Sequence, residues 1–419
     1  MGAVSALRRA ASSSCWETLE EARPLLSGSV LVVLPKATKA DKDMHGKLLF
    51  ELQRMGVNPI MYTLTELFPS AKASLEASKV AQRVGARTVV AMGGGAVCDA
   101  AKHVRGMLEA GGGNVPLLLV PTSFSPLPMS PSCGVLHFEE DVLVVGPAKP
   151  PSVVAMDGEL LSKGASYHPV LTPLSLVVHL LDECFHEAVA QVQAAREGGG
   201  DGYDAFVGAV ADAVQGRDDA LTPALAAMLA DSGGGGGGGV GTAELVAASV
   251  ALGSSLGRSG AADGVGAKAG VATTLATLVS THSEMRGRAP FSWVLASVLE
   301  PIMSLAEETR LEGLLEDVES GDGDDAMHVA LCCAVDATAH MLGVKGPALL
   351  EAAVGGRTAF KEALGPATDA LDISGTDAKN MIAALDTAYE ELPRASTAAA
   401  FDSLIESSLL PELLERLSE

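Results

Sequence analysis

The stretch Thr88-Val89-Val90-Ala91-Met92-Gly93-Gly94-Gly95-Ala96-Val97-Cys98-Asp99-Ala100-Ala101-Lys102 runs an apolar, β-branched strand into three glycines and then into a helix-forming segment. Glycine lets the backbone come close to an anion. The amides that open a helix lack intrahelical partners, point at that anion, and are helped by the helix dipole. The stretch therefore reads as a phosphate-binding turn; the plainer alternative is a tight turn with no ligand. Its position between strand and helix favours the first reading.

Outward from this turn, residues from Gly28 to about Asp157 alternate between short apolar runs and helical segments, the pattern of an open, largely parallel sheet. The expected strands are Ser29 to Leu34, Pro59 to Tyr62, Thr88 to Met92, Pro116 to Val120 and Val142 to Val145. Lys39 to Met55 and Ala71 to Val84 carry apolar positions at helical spacing. In such sheets ligands bind beyond the carboxyl ends of the strands, where both the glycine turn and the segment after Val120 lie. Past Asp157 strand signals fade and Ala/Leu/Val segments of helical period dominate, so residues 1–158 are expected as an α/β domain and 159–419 as an all-helical one. Gly198 to Gly202 and Ser232 to Gly241 interrupt the helices. The region near 198–241 is expected as a glycine-rich, disordered insertion, and Glu316 to Asp325 as a solvated acidic loop.

At 419 residues, 48% of them hydrophobic, the chain can bury a large core and suits two domains. Its formal charge of −23, with no cluster of Lys and Arg to reverse it locally, argues against a nucleic-acid partner. A small anionic cofactor remains compatible, because helix amides and a lysine or two make a local positive site. Acidic residues or glycines break every apolar run before it could span a bilayer, so no membrane association is expected. The six cysteines have neither metal-finger nor redox spacing, which suggests a reducing compartment. Met1 to Ser14, with Arg8, Arg9 and several serines, faintly resembles an organellar transit peptide; an exposed first helix explains it equally, and the cytoplasm is the expected location. A homodimer is the commonest state for a soluble enzyme of this kind.

Two further segments bear chemistry. Val120-Pro121-Thr122-Ser123-Phe124-Ser125-Pro126-Leu127-Pro128-Met129-Ser130-Pro131-Ser132-Cys133-Gly134 makes a rigid loop whose hydroxyls can bond a ribose or a nicotinamide carboxamide, or is simply a connection. In Thr172 to His186, Leu174, Val177, Val178, Leu181 and Phe185 form an apolar stripe, while Ser175, His179, Asp182 and His186 recur on another face. That polar stripe either lines a cleft or consists of satisfied structural residues. A hydrolase triad of Ser175, His179 and Asp182 is rejected, since no Gly-x-Ser-x-Gly elbow presents the serine.

Together these segments resemble the iron-containing alcohol dehydrogenase superfamily. Gly93-Gly94-Gly95-x-x-x-Asp99-x-x-Lys102 is similar to its GGGSxxDxxK signature, and Pro121-Thr122-Ser123 to the Pro-Thr-Thr after its next strand. With Met129-Ser130-Pro131 and Gly134 the loop is most similar to the maleylacetate reductase branch, and Asp157 falls where the family has an Asp opening the helical domain. The resemblance implies an α/β nucleotide-binding domain plus an all-α domain, of the iron-type alcohol dehydrogenase and dehydroquinate synthase kind, using NAD or NADP. It implies that Gly93, Gly94, Gly95 and Asp99 hold the pyrophosphate, with Lys102, Thr122 and Ser123 near the ribose and nicotinamide, in a crevice bearing two imidazoles.

Carried over by position, the resemblance puts the family's metal-ligand positions at Ser175, His179, Ser292 and the Thr281-His282 pair, with the family's further acid at Asp182. Two imidazoles and two weak hydroxyl donors lack the carboxylate and third nitrogen that such sites use, so no bound iron or zinc is expected. His179 and His282 are then the candidate proton donors, since an unperturbed imidazole titrates near neutrality. The departures are Ala96 in place of the signature's serine, and Pro126-Leu127-Pro128 in place of Gly-Ser-Glu, which removes backbone donors and a carboxylate. Arg286 and Arg288 either bind an anionic substrate or are plain exposed loop residues. The expected function is an NAD(P)H-dependent reductase of a small oxo-acid, resembling maleylacetate reductase and working without metal. The alternatives are a metal-dependent alcohol or hydroxyacid dehydrogenase, and a catalytically degenerate nucleotide-binding or scaffold protein of the same fold. Leu34-Pro35-Lys36 lacks the acid that would bind a ribose hydroxyl pair, and its lysine does not decide for a 2′-phosphate, so NAD and NADP both stay open.

Overall fold

The computed structural model describes residues 14–36, 39–65, 70–130, 132–137, 142–164, 166–198, 203–216, 242–262, 270–281, 289–311, 323–365, 379–384, 404 and 407–418. They divide into two compact units, Met1–Tyr167 and His168–Glu419.

In the first unit, helix α1 (Cys15–Glu21) starts at Ser14, whose hydroxyl accepts from Glu17 N. The run Ser-Val-Leu-Val-Val-Leu-Pro makes strand β1 (Ser29–Pro35), apolar on both faces as a central parallel strand must be. Helix α2 (Lys39–Arg54) and edge strand β2 (Asn58–Leu64) follow, then α3 (Ala71–Arg83), with Ser70 as its N-cap. Strand β3 (Thr88–Gly93), helix α4 (Gly95–Glu109) and strand β4 (Leu117–Pro121) come next, β3 and β4 being wholly buried. These bounds lie within a residue or two of those expected.

Val142 to Val145 departs from expectation. It belongs to β6 (Val142–Pro147), paired antiparallel with β5 (Ser132–His137) in a separate two-stranded sheet. The link between them is too short for the crossover that a parallel pair requires. The fifth place in the parallel sheet goes to β7 (Val153–Val154), giving the order β2-β1-β3-β4-β7. The chain reverses direction across the sheet between β1 and β3, so the switch point that favours ligand binding lies beyond their carboxyl ends, beside the glycine turn.

Leu19, Val30, Val32, Leu48, Leu52, Val90, Met92, Leu118, Val120 and Leu160 fuse into one core under the sheet, each contributing about 1.5–3 kcal/mol by leaving water. The unit is closed by Asp157, which caps helix α5 (Gly158–Ser162) by accepting from Glu159 N at 3.0 Å and Leu160 N at 3.2 Å. Its other oxygen accepts from Cys15 N at 3.1 Å, so one carboxylate serves two helix starts.

The second unit is helical in its described residues. Helix α6 (Leu171–Gly198) spans 28 residues and buries Leu174, Val177, Val178, Leu181 and Phe185 together with Leu176, Leu180 and Cys184. A helix apolar on nearly every side must be central. Around it in the chain come α7 (Tyr203–Gln215), α8 (Thr242–Ala262), α9 (Val271–Thr281), α10 (Phe291–Ser297), α11 (Leu299–Leu311), α12 (Gly323–Leu342) and α13 (Gly346–Leu364). Helices α7, α8, α9, α10, α12 and α13 pack directly on α6. Helix α7 lies inside the stretch expected as an insertion: its Val210, Ala211 and Val214 bury at helical spacing, and Tyr203 Oη donates to Asp336 Oδ2 at 2.8 Å. Residues 217–241, including the seven consecutive glycines, and 316–322 of the acidic segment lie outside the described residues, whereas Gly323 to Asp325 open α12. The last helix, α14 (Leu409–Ser418), buries its leucines. Polar ties hold it: Arg357 donates to Glu300 at 2.7 Å and to the Leu417 carbonyl at 2.9 Å, and Arg416 pairs with Glu308. Among the described residues no single helix is long and apolar enough to cross a membrane.

Candidate functional site

The glycine turn leaves the carboxyl end of β3 and enters α4 at Gly94, which is the N-cap in extended backbone. Among the described residues no side chain caps this end, and its first turn holds no acid. Gly94, Gly95 and Ala96 are half-exposed, so the opening amides of α4 face outward. Each glycine has its own reason. A Cβ on Gly93 would lie 2.7 Å from Val97 Cγ2, which lets the strand run tight into the helix; one on Gly94 would point toward Ser123 Oγ at 3.8 Å; and one on Gly95 would meet nothing. A side chain at Gly94 would fill the space between the turn and the neighbouring loop, without harming either.

That loop leaves β4 alongside, Gly93 being in register with Pro121 and Thr122 N donating to the Gly93 carbonyl at 2.9 Å. Thr122 and Ser123 are half-exposed at the carboxyl edge of the sheet, next to the turn. The Thr122 carbonyl is packed so closely on Gly164 that a Cβ there would come within 2.0 Å of it. The structure thus brings Gly93, Gly94, Gly95, Thr122 and Ser123 together, with Asp99 one turn into α4, 16% exposed.

Lys102, expected near the ribose and nicotinamide, is turned into the loop after β4. Its side chain is wholly buried, and its ammonium donates to the carbonyls of Leu127 at 2.6 Å and Ser130 at 3.1 Å, with Asp99 Oδ1 at 3.8 Å. The prolines of the departing segment Pro126-Leu127-Pro128 are buried around a short 3-10 turn, Leu127–Met129. Arg105, one helical turn further along, is buried too and donates to the Pro150 carbonyl at 2.7 Å.

On α6 the polar face turns inward. The Ser175 hydroxyl donates to the Thr172 carbonyl at 2.8 Å. His179 is 5% exposed, and burial pushes its imidazole down to about 4, so near neutrality it is uncharged. The expectation of a near-neutral titration is corrected: loss of hydration disfavours the imidazolium. Asp182 is bound to the start of α9, where its Oδ1 accepts from Ala272 N at 2.8 Å and its Oδ2 from Thr273 N at 2.9 Å and Thr273 Oγ1 at 2.5 Å. Gly270 permits this, because a Cβ there would overlap the carboxylate at 2.2 Å. Burial raises the Asp182 carboxyl to about 6, and the three donors oppose the rise. His186 is half-buried. Ser292 is half-buried on α10, and Thr281 Oγ1 donates to the Thr277 carbonyl at 2.8 Å. His282, Arg286 and Arg288 lie outside the described residues.

The donors that are described do not suit a divalent ion. Asp182 has both oxygens bonded to α9, the Ser175 hydroxyl is turned to its own helix, and of the carried-over ligand positions that are described His179 alone supplies nitrogen. Among the described residues no three His, Cys, Asp or Glu side chains are gathered as a metal would need. A dinucleotide fits better: an uncapped helix start, glycines that leave room, and two accessible hydroxyls. Sequence reasoning missed His168, whose Nδ1 accepts from Val170 N at 3.2 Å and Leu171 N at 3.3 Å at the head of α6, and whose ring meets Trp293 edge-on at 5.7 Å. The His-x-x-x-Thr spacing to Thr172 is the faint signal, since Thr172 Oγ1 closes the turn by accepting from His168 N at 2.9 Å.

Comparison with known proteins agrees with this architecture. The family model described as iron-containing alcohol dehydrogenase matches residues 11–158. No curated protein matches the sequence. Among solved structures, an alcohol dehydrogenase from an archaeal Red Sea brine-pool organism is similar at 16% identity, covering 97% of this chain and 95% of that one, with a TM-score of 0.61. The NADH-dependent butanol dehydrogenase A of Thermotoga maritima is similar at 14% identity, 97% and 95% coverage and 0.59. Maleylacetate reductase of Agrobacterium tumefaciens is similar at 16% identity, 96% and 94% coverage and 0.52. The family match is confined to residues 11–158, and over its whole length the chain shares its fold with these solved alcohol dehydrogenases and with the maleylacetate reductase.

Proposed function

We propose that this chain is an NAD(P)H-dependent reductase of a small oxo-acid, similar to maleylacetate reductase and operating without a metal ion. The observation that carries the reading is the uncapped start of α4 at the switch point of the sheet, with the Thr122 and Ser123 hydroxyls beside it. Backbone amides there would take the pyrophosphate, and the glycines would let it approach. The two hydroxyls would bond the ribose and the carboxamide. When bound, the reduced nicotinamide supplies a hydride to the substrate carbon.

The protein's own share is binding, orientation and the proton. His179, uncharged near neutrality, serves as a hydrogen-bond donor to the substrate oxygen, while His282 is the residue assigned to deliver the proton. The commitment of Asp182 and Ser175 to bonds within the helical unit supports a metal-free reaction. The same commitment, with His179 buried, also favours a second reading in which the chain binds the dinucleotide and has lost turnover.

The test is oxidation of reduced nicotinamide in the presence of maleylacetate and a panel of short oxo-acids, with the metal content of the purified protein measured alongside. Turnover that disappears in His282→Ala and drops in His179→Ala supports the reductase. Tight dinucleotide binding without turnover supports the second reading, and turnover that tracks iron or zinc content overturns both.

A further inference from the structure

The loop after β4 is fastened at two points. At its start Thr122 N bonds the Gly93 carbonyl. At its far end the fastening is Lys102. The Leu127 carbonyl gathers three donors, Lys102 Nζ at 2.6 Å, Ser130 Oγ at 2.8 Å and Ser130 N at 3.1 Å, so the turn is wound about that one oxygen. The Ser130 carbonyl and hydroxyl sit 3.1 and 3.5 Å from the same ammonium. Pro126 and Pro128 have no amide with which to anchor the turn themselves. Burying an ammonium away from water is costly, so a cation held wholly inside needs such a set of carbonyl partners. Thr122 is at the first fastening and Ser123 follows it, at the head of the span that Lys102 closes.

We propose that Lys102 is a positioning residue of the dinucleotide site. It clamps the Leu127–Ser130 turn onto the helix that receives the pyrophosphate, and through it holds Thr122 and Ser123 where the nicotinamide half is received. The proposal rests on the dinucleotide reading above. Strand β3 lies between β1 and β4, so a dinucleotide centred on the β3–α4 turn sends one nucleoside over each neighbour. A carboxamide needs both a donor and an acceptor, which the two hydroxyls on the β4 side supply. Arg105 is the internal control, because it is a second buried cation of the same helix that grips Pro150 instead of this loop.

The experiment is calorimetric titration of the full chain with reduced dinucleotide, in whichever phosphorylation form the wild type binds, and separately with ADP. Lys102→Met should weaken the reduced dinucleotide about tenfold and ADP less than about twofold, Lys102→Arg should recover most of the loss, and Arg105→Met should shift neither by more than about twofold. If Lys102→Met fails to fold, Lys102→Gln carries the same comparison. Unchanged dinucleotide affinity overturns the proposal, as does equal loss of ADP and dinucleotide, or an equal effect of Arg105→Met. A wild type that binds no dinucleotide overturns the underlying reading itself, and so is distinguishable from failure of Lys102 alone.

Discussion

Asp182→Ala is the sharpest perturbation of the helical unit. The carboxylate accepts from Ala272 N at 2.8 Å, Thr273 N at 2.9 Å and Thr273 Oγ1 at 2.5 Å, across 90 residues of sequence. Ala272 is fully buried, so its amide would be orphaned at about 1–3 kcal/mol. Thr273 is half-exposed and its groups can turn to water, so most of the remaining loss is that of a helix cap, about 0.5–2 kcal/mol. The sum is about 3 kcal/mol. The pH dependence has a definite sign. The carboxyl rises from 3.8 to about 6 on folding, so the folded state binds the proton more tightly. Its stabilising contribution is full below the unfolded value and lost as pH rises through 6. The wild type therefore gains about 1 kcal/mol between pH 7 and pH 5 that the variant cannot. Urea unfolding followed by helical circular dichroism should show a gap of about 3 kcal/mol at pH 7, widening at pH 5. His179 titrates in both proteins and cancels in the difference. A gap below about 0.5 kcal/mol, or one that narrows at pH 5 as an ordinary surface ion pair would make it, refutes the reasoning.

The imidazole of His179 makes the opposite contribution. It falls from 6.5 to about 4 on folding, so this imidazole alone costs about 3 kcal/mol as pH drops from 6.5 to 4, largely offset in the wild type by the gain at Asp182 over the same range; His179→Gln should therefore be more stable than the wild type at pH 4 by about that amount, relative to their difference at pH 7, in the same urea series. Gly94→Ala should leave the melting temperature unchanged, since its Cβ would meet only Ser123 Oγ at an ordinary 3.8 Å, yet weaken dinucleotide binding in calorimetry by about tenfold, or 1.4 kcal/mol. Gly164→Ala should destabilise by about 1–3 kcal/mol in thermal unfolding, because its Cβ would overlap the Thr122 carbonyl at 2.0 Å.

What could be read from residues alone divides along physical lines. The apolar runs of β1, β3 and β4 and the helical spacing of Lys39–Arg54 and Ala71–Arg83 are local signals, and they give the elements almost to the residue. The glycine turn was legible for the same reason, because strand, glycines and helix are contiguous. Pairing was less so: Val142–Pro147 reads as a strand whichever sheet it joins, and two-residue β7 has no period to detect. The polar residues were hardest. Asp99 and Lys102 share a helix face, and so do Ser175, His179 and Asp182, but spacing says only that they face one way.

What a polar face meets is decided by distant chain, and here that decision separates binding from support. Lys102 meets Leu127 and Ser130, and Asp182 meets the start of a helix 90 residues on, neither partner carrying a mark in sequence. In each case a charged side chain in a family signature or stripe is spent on the backbone of another segment, where it satisfies carbonyls or amides that would otherwise be buried bare. Beside the glycine turn itself, the half-exposed residues Gly94, Gly95, Thr122 and Ser123 then offer amides and hydroxyls. A site so built attracts an anion through oriented dipoles and not through an exposed cation, so a chain of charge −23 can hold a dinucleotide without a basic patch. It follows that dinucleotide affinity should depend only weakly on salt, in contrast to one set by surface lysines. A steep fall in calorimetric affinity between low and physiological ionic strength would place the binding energy in a cation outside the glycine turn.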